Sequence, residues 1–235
     1  MKTYTIHLIR HAYTKGNLEG RYIGQTDEDL CKEGIAQLEH LKEEYGYPYP
    51  DVVFTSTLKR CKHTAEIIFP DKNPIEMRGF DECDFGEFEG HTAEELEPYK
   101  EFGEWLSGGE DARPLNGESN GEFATRVCDC FIKTVDGLIK TGTGSAAIVT
   151  HGGVIMSILS AFGLPEMPMT EWLCPSACGY TVRITPSLWS RVKKFEVIND
   201  VPAEPLTAED EERLWDYYGE LPEDDEWDID GDLSI

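Results

Sequence analysis

Short apolar runs that break off into polar residues, separated by stretches of helical periodicity, constrain this chain more than any other feature. Thr5-Ile6-His7-Leu8-Ile9 runs into Arg10-His11, and Val52-Val53-Phe54 into Thr55-Ser56-Thr57. Ala146-Ala147-Ile148-Val149 likewise stops at Thr150-His151. Between these runs, Ile35, Leu38 and Leu41 recur at helical spacing, as do Leu58, Cys61, Ala65 and Ile68. Phe123, Val127, Phe131, Val135 and Leu138 form a third stripe, and Val154, Ile155, Ile158 and Leu159 a fourth. A continuous apolar run of strand length suits a strand covered on both faces. Strands alternating with helices then require βαβ units, so a three-layer α/β/α fold around a central, mostly parallel sheet is expected. Ile75-Glu76-Met77 adds a short strand, and Thr92 with Glu95 and Ser119 with Glu122 form capping boxes that open helices. Tyr180 to Ile184 and Arg191 to Ile198 read as an edge β-hairpin near residues 180–198.

Of 235 residues, 40% are hydrophobic and 11% aromatic, enough for one extended core and too many for a disordered chain. No linker divides residues 1–199, which are expected to form one domain with a lid-like helical insertion at about 89–117. Residues 200–235 differ in charge: they hold fifteen acidic residues and one basic residue, Arg213. The whole chain has a net charge of −25, so more than half of its acid excess lies in this extension. That balance argues against nucleic acid or an anionic membrane as partner. Within the extension, Thr207 and Asp210 cap a short helix carrying Leu214, Tyr217 or Tyr218, and Leu221, followed by a solvated acidic tail. No apolar run is long enough to span a membrane, and the first residues do not read as an export leader, so no export is expected. The seven cysteines, an odd number without a CxxC pair, fit reduced thiols and a cytoplasmic location. Cys128 with Cys130 and Cys174 with Cys178 lack zinc-site spacing and read as buried thiols.

In a parallel sheet, ligands bind beyond the carboxyl ends of the strands. Arg10, His11, Arg60 and His151 all follow such ends and would converge on one cationic crevice. Arginine offers two parallel donors to two oxygens, and the turn His151-Gly152-Gly153 opens a helix whose N–H groups favour an anion. The crevice is therefore expected to bind an oxyanion such as phosphate. His11 is the candidate nucleophile, since a neutral imidazole forms a labile phosphoramidate and divides one displacement into two. Glu82 opens a loop rich in carboxylates and is the candidate proton donor; Asp81, Asp84 and Glu87 are its rivals. Asn17 is either a turn residue or a ligand contact. His7, His40 and His63 read as structural, and His91 lies just after the acid loop.

Leu8-Ile9-Arg10-His11-Ala12-Tyr13-Thr14 with Asn17 resembles the R-H-(G/A)-x-T-x-x-N signature of the histidine phosphatase superfamily, also called phosphoglycerate mutase-like. Ser56 to Ala65 resembles its S-x-L-x-R-A-x-x-T-A motif, and Glu82 to Gly90 its E-x-x-F-G-x-(W/F)-E-G motif. Thr150-His151-Gly152-Gly153 is similar to the second-histidine motif. Asn116-Gly117-Glu118-Ser119 is similar to the G-E-S turn of the bacterial small-molecule branch. Ala12 and Cys61 replace the commoner glycine and alanine, both small changes. The resemblance implies a phosphoglycerate mutase-like fold and a metal-independent phosphomonoesterase that needs no cofactor. It makes His11 the phosphorylated nucleophile and Glu82 the acid and then the base. It makes Arg10, Arg60 and His151 the phosphoryl grip, supported by Asn17 and Gly152.

Two other functions compete with phosphatase activity on a small phosphorylated metabolite. A phosphoglycerate mutase would need cations for a second anionic group. Asp81 to Leu96 contains no Arg or Lys, leaving only Arg21, Lys100 and Arg113 nearby. An interaction module with vestigial catalysis would be expected to have lost a catalytic residue, and none is missing. If the chain self-associates, a homodimer is the expected assembly.

Overall fold

Alternation along β1 (Tyr4–Arg10) assigns the two faces of the sheet: Ile6 and Leu8 enter one apolar cluster and Ile9 another. A computed structural model describes residues 2–203. The helix expected after Thr207 and the acidic tail lie outside the described residues. β1 leads to a one-turn helix, α1 (Lys15–Leu18), and to α2 (Lys32–Glu44). Next come β2 (Val52–Thr55), α3 (Lys59–Ile68) and β3 (Ile75–Glu76). Two short helices, α4 (Ala93–Leu96) and α5 (Lys100–Leu106), precede the long α6 (Asn120–Thr141). β4 (Ser145–Thr150), α7 (Gly152–Phe162) and β5 (Gly163–Leu164) follow. β6 (Gly179–Ile184), α8 (Pro186–Val192) and β7 (Phe195–Val201) complete the order.

The sheet has seven strands in the order β3-β2-β4-β1-β6-β7-β5, and only β6 runs against the rest. On one face α6, α7 and α8 bury Val127, Phe131, Ile155, Ile158 and Trp189 against Ile6, Leu8 and Ile148. On the other, α2 and α3 bury Leu38, Ala65 and Ile68 against Ile9, Val53 and Val149. Each such aliphatic or aromatic side chain contributes about 1.5–3 kcal/mol on full burial. Both expected capping boxes are formed, at Thr92 with Glu95 and at Ser119 with Glu122. Among the described residues no helix is long and apolar enough to cross a membrane.

The antiparallel pair expected near residues 180–198 is present as β6 and β7, but it is neither a tight hairpin nor the sheet edge. α8 fills the connection and takes Arg191 and Val192 from the expected strand, while β5 pairs outside β7. Pro186 is tolerated at the start of α8 because the first helical N–H has no partner in any case. Trp189 then packs edge-on against Phe131, 5.9 Å between centroids, and its Nε1 donates to Asp136 at 2.8 Å. That burial outweighs the local strand preference.

Between β3 and α6 the chain builds a small separate cluster. Phe88, Leu96 and Phe102 are buried together, with Tyr22, Phe85 and Trp105 packed around them. Trp105 also lines a cavity of about 1230 Å³, walled by Phe123, Arg126, Ser157 and Met169.

Candidate active site

Strand register creates the site. Arg10 pairs with Thr150, and Thr55 with Val149. The ladder continues one step further, with His11 N donating to Thr150 O at 2.9 Å and Ser56 N to Val149 O at 3.1 Å. His11, Ser56 and His151 therefore leave three adjacent strands at the same carboxyl edge. Arg60 arrives from the first turn of α3, and Glu82 from the loop after the Arg78–Phe80 turn.

His11 is buried, and its Nδ1 donates to the Ala12 carbonyl at 2.7 Å. That bond fixes the tautomer and leaves the lone pair on Nε2. Burial, and then the positive charges of Arg60 and Arg10, hold its pKa well below the usual imidazole value of 6.5. The nucleophile is thus neutral.

Arg60 is fully buried, and each of its three guanidinium nitrogens has a partner, with one Nη1 hydrogen left over. Its terminal nitrogens donate to the carbonyls of Thr26 at 2.8 Å and Gly24 at 2.7 Å, with a longer contact to Ile23 at 3.4 Å. Its Nε donates to His151 Nδ1 at 3.2 Å. The proton of His151 therefore sits on Nε2, which donates to Ser56 Oγ at 2.8 Å; Ser56 in turn donates to Asp81 at 2.7 Å. Burial, followed by Arg60 and His11, keeps His151 neutral as well. The two imidazoles meet edge-on with centroids 5.1 Å apart. Arg10 anchors one end on the Cys174 carbonyl at 2.7 Å, while its buried Nε has no partner among the described residues. A donor so placed is available to an oxyanion.

The candidate acid and its three rivals separate clearly. Asp81 accepts from Ser56, from Thr57 N at 2.7 Å and from Thr57 Oγ1 at 2.8 Å, a structural role. Asp84 accepts from Gly86 N at 2.9 Å, and exposed Glu87 accepts from Asn116 at 3.0 Å. Glu82 is buried within electrostatic reach of Arg60 and Arg10, accepting from Cys83 N at 3.0 Å and Gly153 N at 3.1 Å. Burial raises its pKa above the ordinary carboxyl value, against the opposing pull of those bonds and of Arg60 and Arg10. The protonated form needed by a general acid is thereby favoured.

Two expected supporting residues sit differently from each other. Asn17 closes the capping box of α1, its Oδ1 accepting from Thr14 N at 3.2 Å. Gly152 lies against Arg10, where a Cβ would find ordinary room, 3.5 Å from the guanidinium. Gly153, which the sequence did not single out, is the stricter glycine: a Cβ there would collide with the Glu82 carboxyl. Arg126 is a second omission; it donates to the carbonyls of Gly79, Asp81 and Glu82 at 3.0–3.3 Å and pairs with Glu118 at 2.7 Å. Both contacts span more than forty residues, and no local pattern announces them. Among the described residues no group of three or more His, Cys, Asp or Glu side chains is placed to hold a metal.

The sequence profile of the histidine phosphatase superfamily (branch 1) matches residues 6–196. The chain is 28% identical over 182 residues to the adenosylcobalamin/alpha-ribazole phosphatase of Escherichia coli, covering 75% of this chain and 88% of the relative. It is 27% identical over 178 residues to a 2,3-bisphosphoglycerate-dependent phosphoglycerate mutase of Methylobacterium radiotolerans, covering 70% and 82%. In fold it resembles the crystal structure of phosphoglycerate mutase from Bacillus anthracis, with a TM-score of 0.69 and 18% identity over 86% of this chain and 94% of that one. With its sheet order, its converging histidines and arginines, and a profile match along almost the whole described length, the chain belongs to branch 1 of the histidine phosphatase superfamily.

Proposed function

We propose that this phosphatase-family chain hydrolyses a small phosphorylated metabolite through a phosphohistidine at His11, without a metal. The observation that carries this reading is a neutral His11, with its lone pair on Nε2, set between two arginines and beside a carboxyl favoured in its protonated form. Nε2 attacks phosphorus, and the ester P–O bond breaks as Glu82 gives its proton to the leaving alkoxide. Water then attacks the phosphohistidine while the Glu82 carboxylate takes a proton from it, releasing phosphate and restoring both groups. Arg10 and Arg60 spread the charge of the transferring group, the main requirement of such chemistry. In this arrangement both ring nitrogens of His151 are bonded to protein, so its direct grip on the phosphoryl group requires exchange of its bond to Ser56. Gly152 supports the grip from beside Arg10, and Asn17, which closes the capping box of α1 just after the nucleophile, is proposed as a further contact.

Hydrolysis is favoured over mutase transfer by the state of the cations outside the pocket. Arg21 is held by Glu19 at 2.7 Å and Glu95 at 3.2 Å, Lys100 pairs with Glu104, and Arg113 lies 3.3 Å from Glu122. Each already has a carboxylate partner that a second anionic group would have to displace. Retention of His11, Arg10, Arg60, Glu82 and His151 speaks against an interaction module with vestigial catalysis. The phosphatase relative, the free thiols and the acidic composition fit a cytoplasmic enzyme that binds neither nucleic acid nor membrane. The test is hydrolysis of an aryl phosphate in EDTA, with acid-labile phosphate trapped on the parent chain and absent from His11→Ala. Activity that vanishes in EDTA and returns with a divalent metal overturns the mechanism.

A further inference from the structure

We propose that Glu89 is a positioning residue: through the loop Ile23–Thr26 it aims Arg60 at the phosphoryl group and keeps it in register with Glu82. The proposal rests on the reading above, in which Arg60 binds that group.

The Glu89 carboxylate accepts from five donors: the backbone N–H groups of Gly24, Gln25, Thr26 and Phe85, and the Thr26 hydroxyl, the last at 2.6 Å. Gly24, Gln25 and Thr26 are consecutive, and their N–H groups form a concave nest of the kind that binds anions. Here the anion is part of the chain. The carbonyls of the same loop face the other way and accept from Arg60, at 2.7 Å from Gly24 and 2.8 Å from Thr26. A carboxylate on the N–H side and a guanidinium on the C=O side polarise the same peptide groups in the same sense, so each strengthens the other's hold.

This loop also reaches the acid. Gln25 Nε2 donates to the Glu82 carbonyl at 2.7 Å, and Phe85 N, from the acid loop itself, donates to Glu89 at 3.2 Å. The apposition is tight: a Cβ on Gly24 would collide with the Cys83 carbonyl and with Glu89. Arg60 is buried and its fork is set by these carbonyls, so a small shift of the loop moves the whole guanidinium, including the Nη1 hydrogen left for the phosphoryl group.

Glu89→Gln keeps the volume but turns an amide NH₂ toward backbone donors. On the full-length chain, inorganic phosphate binding by calorimetry and KM for an aryl phosphate should both weaken by about tenfold, as for loss of a charged hydrogen bond, with kcat changed less. In an Arg60→Lys background the same substitution should cost less than about twofold, because its effect passes through Arg60. A folded Glu89→Gln chain with parental phosphate affinity, or a full additional loss in Arg60→Lys, overturns the proposal. Should Glu89→Gln fail to fold, Thr26→Val removes one donor alone and should weaken phosphate binding by about two- to threefold; parental affinity there also overturns it. Phosphate binding needs no turnover. A parent chain that binds phosphate without hydrolysing esters sinks the phosphatase reading and leaves Glu89 to be judged by these variants, whereas one that binds no phosphate overturns both.

Discussion

Arg60 and Arg113 carry the same charge in opposite surroundings. Arg60 is fully buried, and its donors are set on three backbone carbonyls and an imidazole. The Arg113 side chain is 50% exposed and has one carboxylate partner that is itself 55% exposed. An exposed pair of this kind is worth about 0–1 kcal/mol and is weakened by salt. The same contrast separates the floor of the site from the segment over α4 and α5. The floor is ordered by buried hydrogen bonds with almost no freedom. The segment is ordered by an aromatic cluster beside an open cavity, with its charges paired at the surface. In the proposed function, chemistry that must not vary is built into the first, and we propose that the choice of leaving group is left to the second.

The largest expected effect tests the floor. His11→Ala should lower kcat by about 10⁴-fold or more on every ester, measured by steady-state release of phosphate. A residual rate within tenfold of the parent would mean that another group attacks phosphorus. Next, Glu82→Gln should slow alkyl phosphates by about 10²–10⁴-fold but aryl phosphates by less than tenfold, since phenolate leaves without a proton. Equal losses on both would reassign the acid. The segment gives a different signature: Trp105→Ala should change KM unevenly across a panel of phosphate esters, by about tenfold at most, while inhibition by inorganic phosphate stays constant. A uniform change would erase the distinction between the two regions.

Acid sharpens the comparison from another side. The active form needs a neutral His11 and a protonated Glu82, and the two shifts, one down and one up, move the groups toward coexistence. The acid limb of kcat/KM should therefore lie below the ordinary imidazole range, as a pH–rate profile will read. Stability gives the smallest effect. Burial lowers His7 to about 4 from 6.5. The unfolded chain thus takes up its proton first, and the contribution of His7 is complete above 6.5 and lost as pH falls toward 4. Glu82 acts with the opposite sign, adding stability as pH falls. The clean readout is thus the change in Tm slope between His7→Val and the parent, a few degrees at most by differential scanning calorimetry.

Much of this was legible in the residues themselves, because strand ends and short motifs are local. Apolar runs ending at Arg10, Thr55 and Thr150 fixed the sheet edge, and the parallel register brought His11, Arg60 and His151 together as expected. What stayed hidden depends on contacts between distant segments. Asp81 looked like a rival acid until its bonds to Ser56 and Thr57, more than twenty positions away, gave it another task. Gly153 and Gly152 are indistinguishable in the chain and differ only because Glu82 lies against one of them. α8 did leave a local trace, Pro186 followed by Trp189, which the surrounding strand-forming residues outweighed.

The bond from His11 Nδ1 to the Ala12 carbonyl has a consequence for the identity of the intermediate. With the proximal nitrogen holding its proton against a carbonyl, phosphorus can join only the distal one. The proposed phosphoenzyme is then the tele isomer of phosphohistidine, not the pros isomer, a difference that ³¹P and ¹⁵N spectra separate. The ring so modified keeps its Nδ1 proton and carries positive charge, which the Ala12 carbonyl stabilises. It can depart as a neutral imidazole when water attacks, so the contact that orients the nucleophile also prepares it to leave.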